Sequence, residues 1–339
     1  MRNGIQFTTD GQYGRNEVRG YHGSPRHEFK TSAAASDIAG LKTRQPSSEL
    51  VTAQNEARFR IGMEIEKNSM TRSSIKEYPL FKGFERDSTC GGIGGGGGIE
   101  AITHVLPLLP KSHWRSKVFN MFHEAERVIE DSHSPSDASC STHTHLSVAT
   151  MNGTELLEAV RPYSGIIYAL FRYRLANYYA LGNPFLNTTE GYGCSSWECG
   201  TKYCVVKNTG HGIEFRLPSR IKSVKGMIRR YELFFELVNF GVNHAGKSHA
   251  SFLKRITPII KRMYDTQEEV DNILTLAKAF QKAINNNRVC AVTREWFEGD
   301  HIRHQRSRRD GDMSLFYTRA LARETGNRYR TNEEINSLI

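Results

Sequence analysis

The chain has 339 residues, enough for one large domain or for a core with two substantial extensions. Its 38% hydrophobic and 24% charged residues exclude a disordered or fibrous chain, and no run reaches the roughly 18 consecutive apolar residues of a membrane span. A formal net charge of +10 favours anionic partners, whether nucleotides, acidic peptides or nucleic acid, without choosing among them.

Residues 1–57 hold no sustained period of 2 or 3.6 and are expected to form an extended or partly ordered arm. Asp10, Arg15, Glu17 and Arg19 interrupt any signal-peptide pattern there, so a cytoplasmic protein is expected. The core, 58–243, opens at 59–67 on a strict alternation. Phe59, Ile61, Met63 and Ile65 share one face of a strand and Arg60, Glu64 and Glu66 the other. The glycine run at 91–98 cannot form the interior of a stable element and is expected to be a mobile loop, leading into strand character at 99–103. Within 112–131, Trp114, Val118, Phe122, Ala125 and Ile129 recur at helical spacing, and a strand follows at 142–149.

Asn152 with Glu155 marks a helix start ahead of Leu156, Val160, Ile167, Leu170, Leu175 and Tyr178, with a break near Pro162 and a stop at Asn183 and Pro184. Strands at 203–207 and 212–217 precede a helix at 223–242 with the stripe Ile228, Tyr231, Phe235 and Val238. Beyond it, 244–339 reads as a helical extension. Thr266 with Glu269 caps the run Val270, Ile273, Leu274, Ala277, Phe280 and Ile284; Thr331 with Glu334 repeats the signature, and a basic run lies at 301–309. The pattern is α+β, with no internal repeat.

Chemistry gathers in short polar motifs at the strand faces and ends: Glu64 and Glu66, Asp87, Glu100, His143 to Ser147, Arg172, and Glu214 with Arg216. Strand residues i and i+2 lie about 7 Å apart on one face, the reach of two carboxylates serving one site. Repeated like charge there needs a cation or solvent. Mg²⁺ suits such hard oxygen donors, with His143 as the nitrogen donor. Two other readings stay open: each strand shows a polar face to water, or Cys140 beside His143 is the nucleophile of a Cys-His hydrolase. Cys194, Cys199 and Cys204, five apart, suit loop thiols better than a zinc site.

The order and type of these motifs narrow the choice. Ile61-Gly62-Met63-Glu64-Ile65-Glu66, then Asp87-Ser88 leading to Gly98-Ile99-Glu100 and Pro107-Leu108, then the Cys140 to Ser147 segment, and finally Asn208 ahead of Ile213-Glu214-Phe215-Arg216-Leu217-Pro218 occur in sequence. Over 58–242 the chain resembles the amidoligase family of the glutamine synthetase-like carboxylate-amine ligases, which also contains the gamma-glutamylcysteine ligases. The resemblance implies an α+β fold, a curved antiparallel sheet funnel with helices packed on its outer face. It implies ATP and Mg²⁺, or Mn²⁺, and an acyl-phosphate route to an amide or isopeptide bond on amino acid or peptide substrates.

By position, it implies that Glu64, His143 and Glu214 hold one metal and Glu66 and Glu100 a second. His143, His145 and Ser147 would contact nucleotide; Arg216, Arg172 and Asp87 would contact substrate. Glu64, Glu214 and Arg216 would be the catalytic set. Relatives of this kind occur in bacteria and their viruses and often form homo-oligomers. Two departures stand out: Gly212 occupies a position that is often arginine, and no further glutamate close to Glu100 is apparent unless Asp87 supplies it. A different class of function is a nucleic-acid-binding protein using Arg303, Arg306, Arg308 and Arg309, with binding that weakens steeply in salt.

Overall fold

The structure is a computed structural model that describes residues 46–68, 78–86, 98–136, 140–172, 174 and 205–286. Asp87, the glycine run up to Gly97, Cys194, Cys199, Cys204, the second capping signature and the basic run at 301–309 lie outside the described residues. The chain divides into two compact units, one containing 1–156, 209–213 and 220–235, the other 157–208, 214–219 and 236–339.

The first unit is built on an antiparallel sheet. Its centre is β1, Phe59–Lys67. One edge of β1 pairs with β3, Ile99–Thr103, which pairs in turn with β2, Phe81–Arg86. The other edge pairs with β5, Thr142–Val148, and the two-residue β4, Leu106–Pro107, bonds the start of β1. Strand β2 was not anticipated: Phe-Lys-Gly-Phe-Glu-Arg has no clean alternation, and its register against β3 slips between Phe81 and Gly83.

Part of the expected N-terminal arm is helical, α1 at Ser48–Glu56, capped by the Ser47 hydroxyl, which accepts from Leu50 N at 3.2 Å. Leu50 and Ala53 are its buried face, and the Arg60 side chain donates to Gln54 O at 2.9 Å, tying the helix to β1. Helices α2, His113–Glu124, and α3, Glu126–Ile129, lie within the expected helical block. Tyr231 locks this side of the unit: its hydroxyl donates to Pro107 O at 2.5 Å and accepts from Leu109 N at 2.8 Å, while its ring meets Phe119 edge-on at 5.3 Å. Burial raises its phenol pKa, which keeps the donor in place at any ordinary pH.

The apolar face of β1 ends in a cation. Lys67 has no exposed side-chain surface, and its ammonium donates to Ile129 O at 2.8 Å, Asp131 Oδ1 at 2.9 Å and Ile221 O at 3.1 Å. Burial pulls its pKa down, against the opposing pull of Asp131. Arg220 also approaches Asp131, at 3.7 Å.

The second unit is largely helical. A 3₁₀ turn at Arg161–Tyr163 leads into α5, Gly165–Leu170, which packs on α8, Gln267–Asn285. In order between them come β6, Val206–Asn208, β7, Ile213–Phe215, α6, Val224–Asn243, and α7, His249–Lys261; β7 and α6 each contribute to both units, and α4, Gly153–Val160, does the same earlier in the chain. Both expected caps are present. Asn152 and Glu155 exchange hydrogen bonds at 2.8 and 3.0 Å, and Thr266 with Glu269 forms a complete capping box. Tyr163 packs against Phe240 and Phe252, with its hydroxyl on Lys247 O at 2.9 Å. Among the described residues, no helix is long and apolar enough to cross a membrane.

Candidate functional site

Strand pairing in the first unit sets the acidic motifs side by side. Cα register places His143 opposite Glu64 across β5, and Glu100 opposite Glu66 across β3. Directly opposed residues point to the same face with Cβ atoms about 4.5–5.5 Å apart. The alternation expected for β1 is therefore real, but the polar face is covered: Glu64 is 0% exposed, Glu66 4%, Glu100 1% and His143 6%. A solvated strand face is not what these residues make.

Gathering three carboxylates under cover is costly. Two ionised carboxylates about 5 Å apart repel by roughly 3 kcal/mol at an effective dielectric of 20, and burial adds a desolvation penalty. The protein answers with imidazole. His143 Nδ1 lies 3.0 Å from Glu64 Oε2, and His145 Nε2 lies 3.0 Å from Glu64 Oε1. His143 Nε2 is 3.6 Å from Glu66 Oε1, and the Ser141 N–H donates to Glu66 Oε2 at 2.6 Å. Donor atoms of Glu64, Glu100 and His143 lie within 4.8 Å of one another, close enough to share one ion. Two carboxylates and an imidazole are the donor chemistry of Mg²⁺, Mn²⁺ or Zn²⁺ sites, so the residues present fit a divalent cation.

The register also reveals a position that sequence reasoning missed. Glu85 on β2 is the Cα partner of Glu100, which makes Glu66, Glu100 and Glu85 successive partners across three strands. The signal was present as a Phe-x-x-Phe-Glu segment, but only the pairing of β2 with β3 gives it meaning.

The glycine at position 212 is explained by space. A Cβ there would sit 2.2 Å from Leu146 O on β5. No side chain fits that approach.

Cys140 is buried, and its thiol lies 3.3 Å from Asn68 Oδ1. Both ring nitrogens of His143 meet carboxylates, which is not the arrangement of a base turned on a cysteine. Ser147 is the partner of Arg60 in the β1–β5 register, on the same strand face as His143 and His145.

Glu214, Arg216 and Arg172 belong to the second unit. There Glu214 and Arg216 are buried and joined by an ion pair, and Arg216 N donates to Val205 O at 2.9 Å. Arg172 is also buried and donates to Ala169 O at 3.0 Å, tying its guanidinium to the last turn of α5. That bond gives Arg172 a structural task of its own.

No protein-family model matches the sequence, and no curated protein matches it. A solved structure described as "Apo GmaS without ligand" is similar to it at 12% identity, covering 70% of each chain with a TM-score of 0.31. Likeness at that level does not bear on the chemistry of this chain.

Proposed function

We propose that the chain is an ATP-dependent carboxylate-amine ligase whose metal centre is built on Glu64, Glu66, Glu100 and His143. The observation that carries this reading is the cross-strand register, which brings residues from three separate motifs onto one covered face. The sequence resemblance rests on those motifs in order, together with the one at Glu214. A bound Mg²⁺ or Mn²⁺ would supply charge neutralisation for the phosphates of ATP.

In the reaction, a substrate carboxylate oxygen attacks the γ-phosphorus of ATP and ADP leaves, giving an acyl phosphate. The amine nitrogen then attacks the acyl carbon, loses a proton, and inorganic phosphate departs with the C–O bond electrons to leave an amide. The chain's own residues bind and exclude water: Glu64, Glu66 and Glu100 present oxygens from a rigid sheet, and His143 presents a nitrogen fixed by Glu64. Amino acids or peptides are the proposed substrates, the curved sheet of the glutamine synthetase-like ligases the proposed fold, and the cytoplasm the proposed location. The roles expected of Glu214, Arg216, His145 and Ser147 rest on the sequence.

The test is a mass-spectrometric screen for condensation of amino acids and peptides with ATP and Mg²⁺, following ADP and phosphate. Glu64→Gln and Glu66→Gln are expected to lower turnover at least a hundredfold with the thermal transition retained. Unchanged turnover in both variants would sink the proposal.

A further inference from the structure

A line of polar groups runs across the sheet of the first unit. It passes from His145 Nε2 to Glu64 Oε1 at 3.0 Å, from Glu64 Oε2 to His143 Nδ1 at 3.0 Å, from His143 Nε2 to Glu66 Oε1 at 3.6 Å, and from Glu66 Oε2 to the Ser141 N–H at 2.6 Å. We propose that His145 is a positioning residue for the metal centre, acting through Glu64 to aim His143 Nε2 at Glu66. The proposal rests on the metal-site reading above and adds to it a residue that the resemblance would place on nucleotide.

The protons decide the direction of the line. An ionised carboxylate only accepts, so with Glu64 ionised both imidazole nitrogens at 3.0 Å carry hydrogen. His143 in that tautomer keeps its lone pair on Nε2. His143 Nε2 is the ring nitrogen turned toward Glu66 Oε1, at 3.6 Å. The separation is too long for a hydrogen bond. Two donors bound to one cation at about 2.1 Å each stand roughly 3.0–3.4 Å apart, close to this spacing. The pair stands a little wider than two ligands of one ion.

Why His145 should matter follows from the freedom of a glutamate. A long side chain of this kind carries about 1.5–2 kcal/mol of rotamer entropy, and an ordering partner on each oxygen removes it before a ligand arrives. His143 holds one oxygen of Glu64 and His145 the other. Strand β5 supplies both imidazoles two residues apart on one face, with Gly62 the partner of His145, so no β1 side chain stands between His145 and Glu64. Partners that orient a metal-binding histidine are typically worth 10–100-fold in metal affinity.

The experiment is Mn²⁺ binding followed by electron paramagnetic resonance on the wild type, His145→Gln and His145→Leu, with thermal melts alongside. Expected are a 10–100-fold weaker Mn²⁺ affinity for His145→Leu, partial recovery in His145→Gln, whose amide can still donate, and melts close to wild type. Wild-type binding with unchanged affinity in both variants would overturn this proposal alone. Absence of Mn²⁺ binding to the wild type would remove it together with the metal reading. Should His145→Leu fail to fold, the imidazole ¹⁵N spectrum of the wild type decides. Added Zn²⁺ should shift Nε2 of His143 and leave Nδ1 protonated; a shift at Nδ1 with Nε2 protonated contradicts the proposal.

Discussion

Lys67 shows how much a single side chain can organise. Its ammonium satisfies two backbone carbonyls and Asp131 at once, joining the end of β1 to Ile129 at the end of α3 and to Ile221. Lys67→Met keeps the volume but strands those acceptors, so it is expected to cost about 2–4 kcal/mol in urea denaturation. The lower half of that range fits an Asp131 that keeps 27% exposure and can turn to water. A variant as stable as wild type would mean that solvent reaches the cavity and replaces the ammonium. The sequence showed the alternation at 59–67 but not this role, because a lysine ending a strand looks the same whether its tip meets water or carbonyl oxygens.

Between elements, glycines set how closely the chain can pack. A Cβ on Gly165 in α5 would lie 2.3 Å from Ala277 O of α8, and Gly165 N already donates to Gln281 Oε1 at 2.9 Å. Alanine normally gains about 1 kcal/mol over glycine inside a helix. Here the obstacle is backbone, so Gly165→Ala is expected to lower stability by about 1–3 kcal/mol in the same assay. A stabilised variant would show that α5 and α8 part easily. Gly212→Arg should likewise destabilise, since its Cβ collides with Leu146 O.

At this scale the sequence was informative where one element carries its own signal. The caps at Asn152 and Thr266 and the acidic face of β1 were legible because their partners lie within three residues or recur with period two. Strand β2 and helix α1 were not. Gly83 and a register slip break the first, and the second buries only Leu50 and Ala53 of nine residues, too narrow a stripe to stand out. Glu85 was missed with its strand, since its meaning depends on Glu100 across the sheet.

For the whole molecule, two solution properties follow. His249 at the start of α7 has its pKa lowered to about 4, mainly by burial and further by Lys278. Between about pH 6.5 and 4 the unfolded chain then takes up a proton that the folded chain refuses. This contribution to stability is complete above pH 6.5 and is lost as pH falls through about 4. The urea midpoint should drop over that window, and His249→Gln should flatten the drop; equal slopes would assign the acid sensitivity to other groups. The proposed metal centre would act in the opposite sense to acid. A cation at 100 times its Kd stabilises the folded chain by about 2.7 kcal/mol, so Mn²⁺ should raise the melting temperature and EDTA reverse it, with Glu66→Gln showing little response.

Glu66 and Lys67 are neighbours in sequence, yet one lies among carboxylates and imidazole and the other in the apolar layer, gripped by carbonyls. This opposition gives β1 a form of error checking during folding. A slip of one residue against β3 or β5 would turn Glu64 and Glu66 into the apolar layer and bring Ile65 and Lys67 to the polar face. Each misplaced charge would lack its partner, so a mispaired sheet pays twice. The residues proposed to bind metal would thus also proofread the register that assembles them.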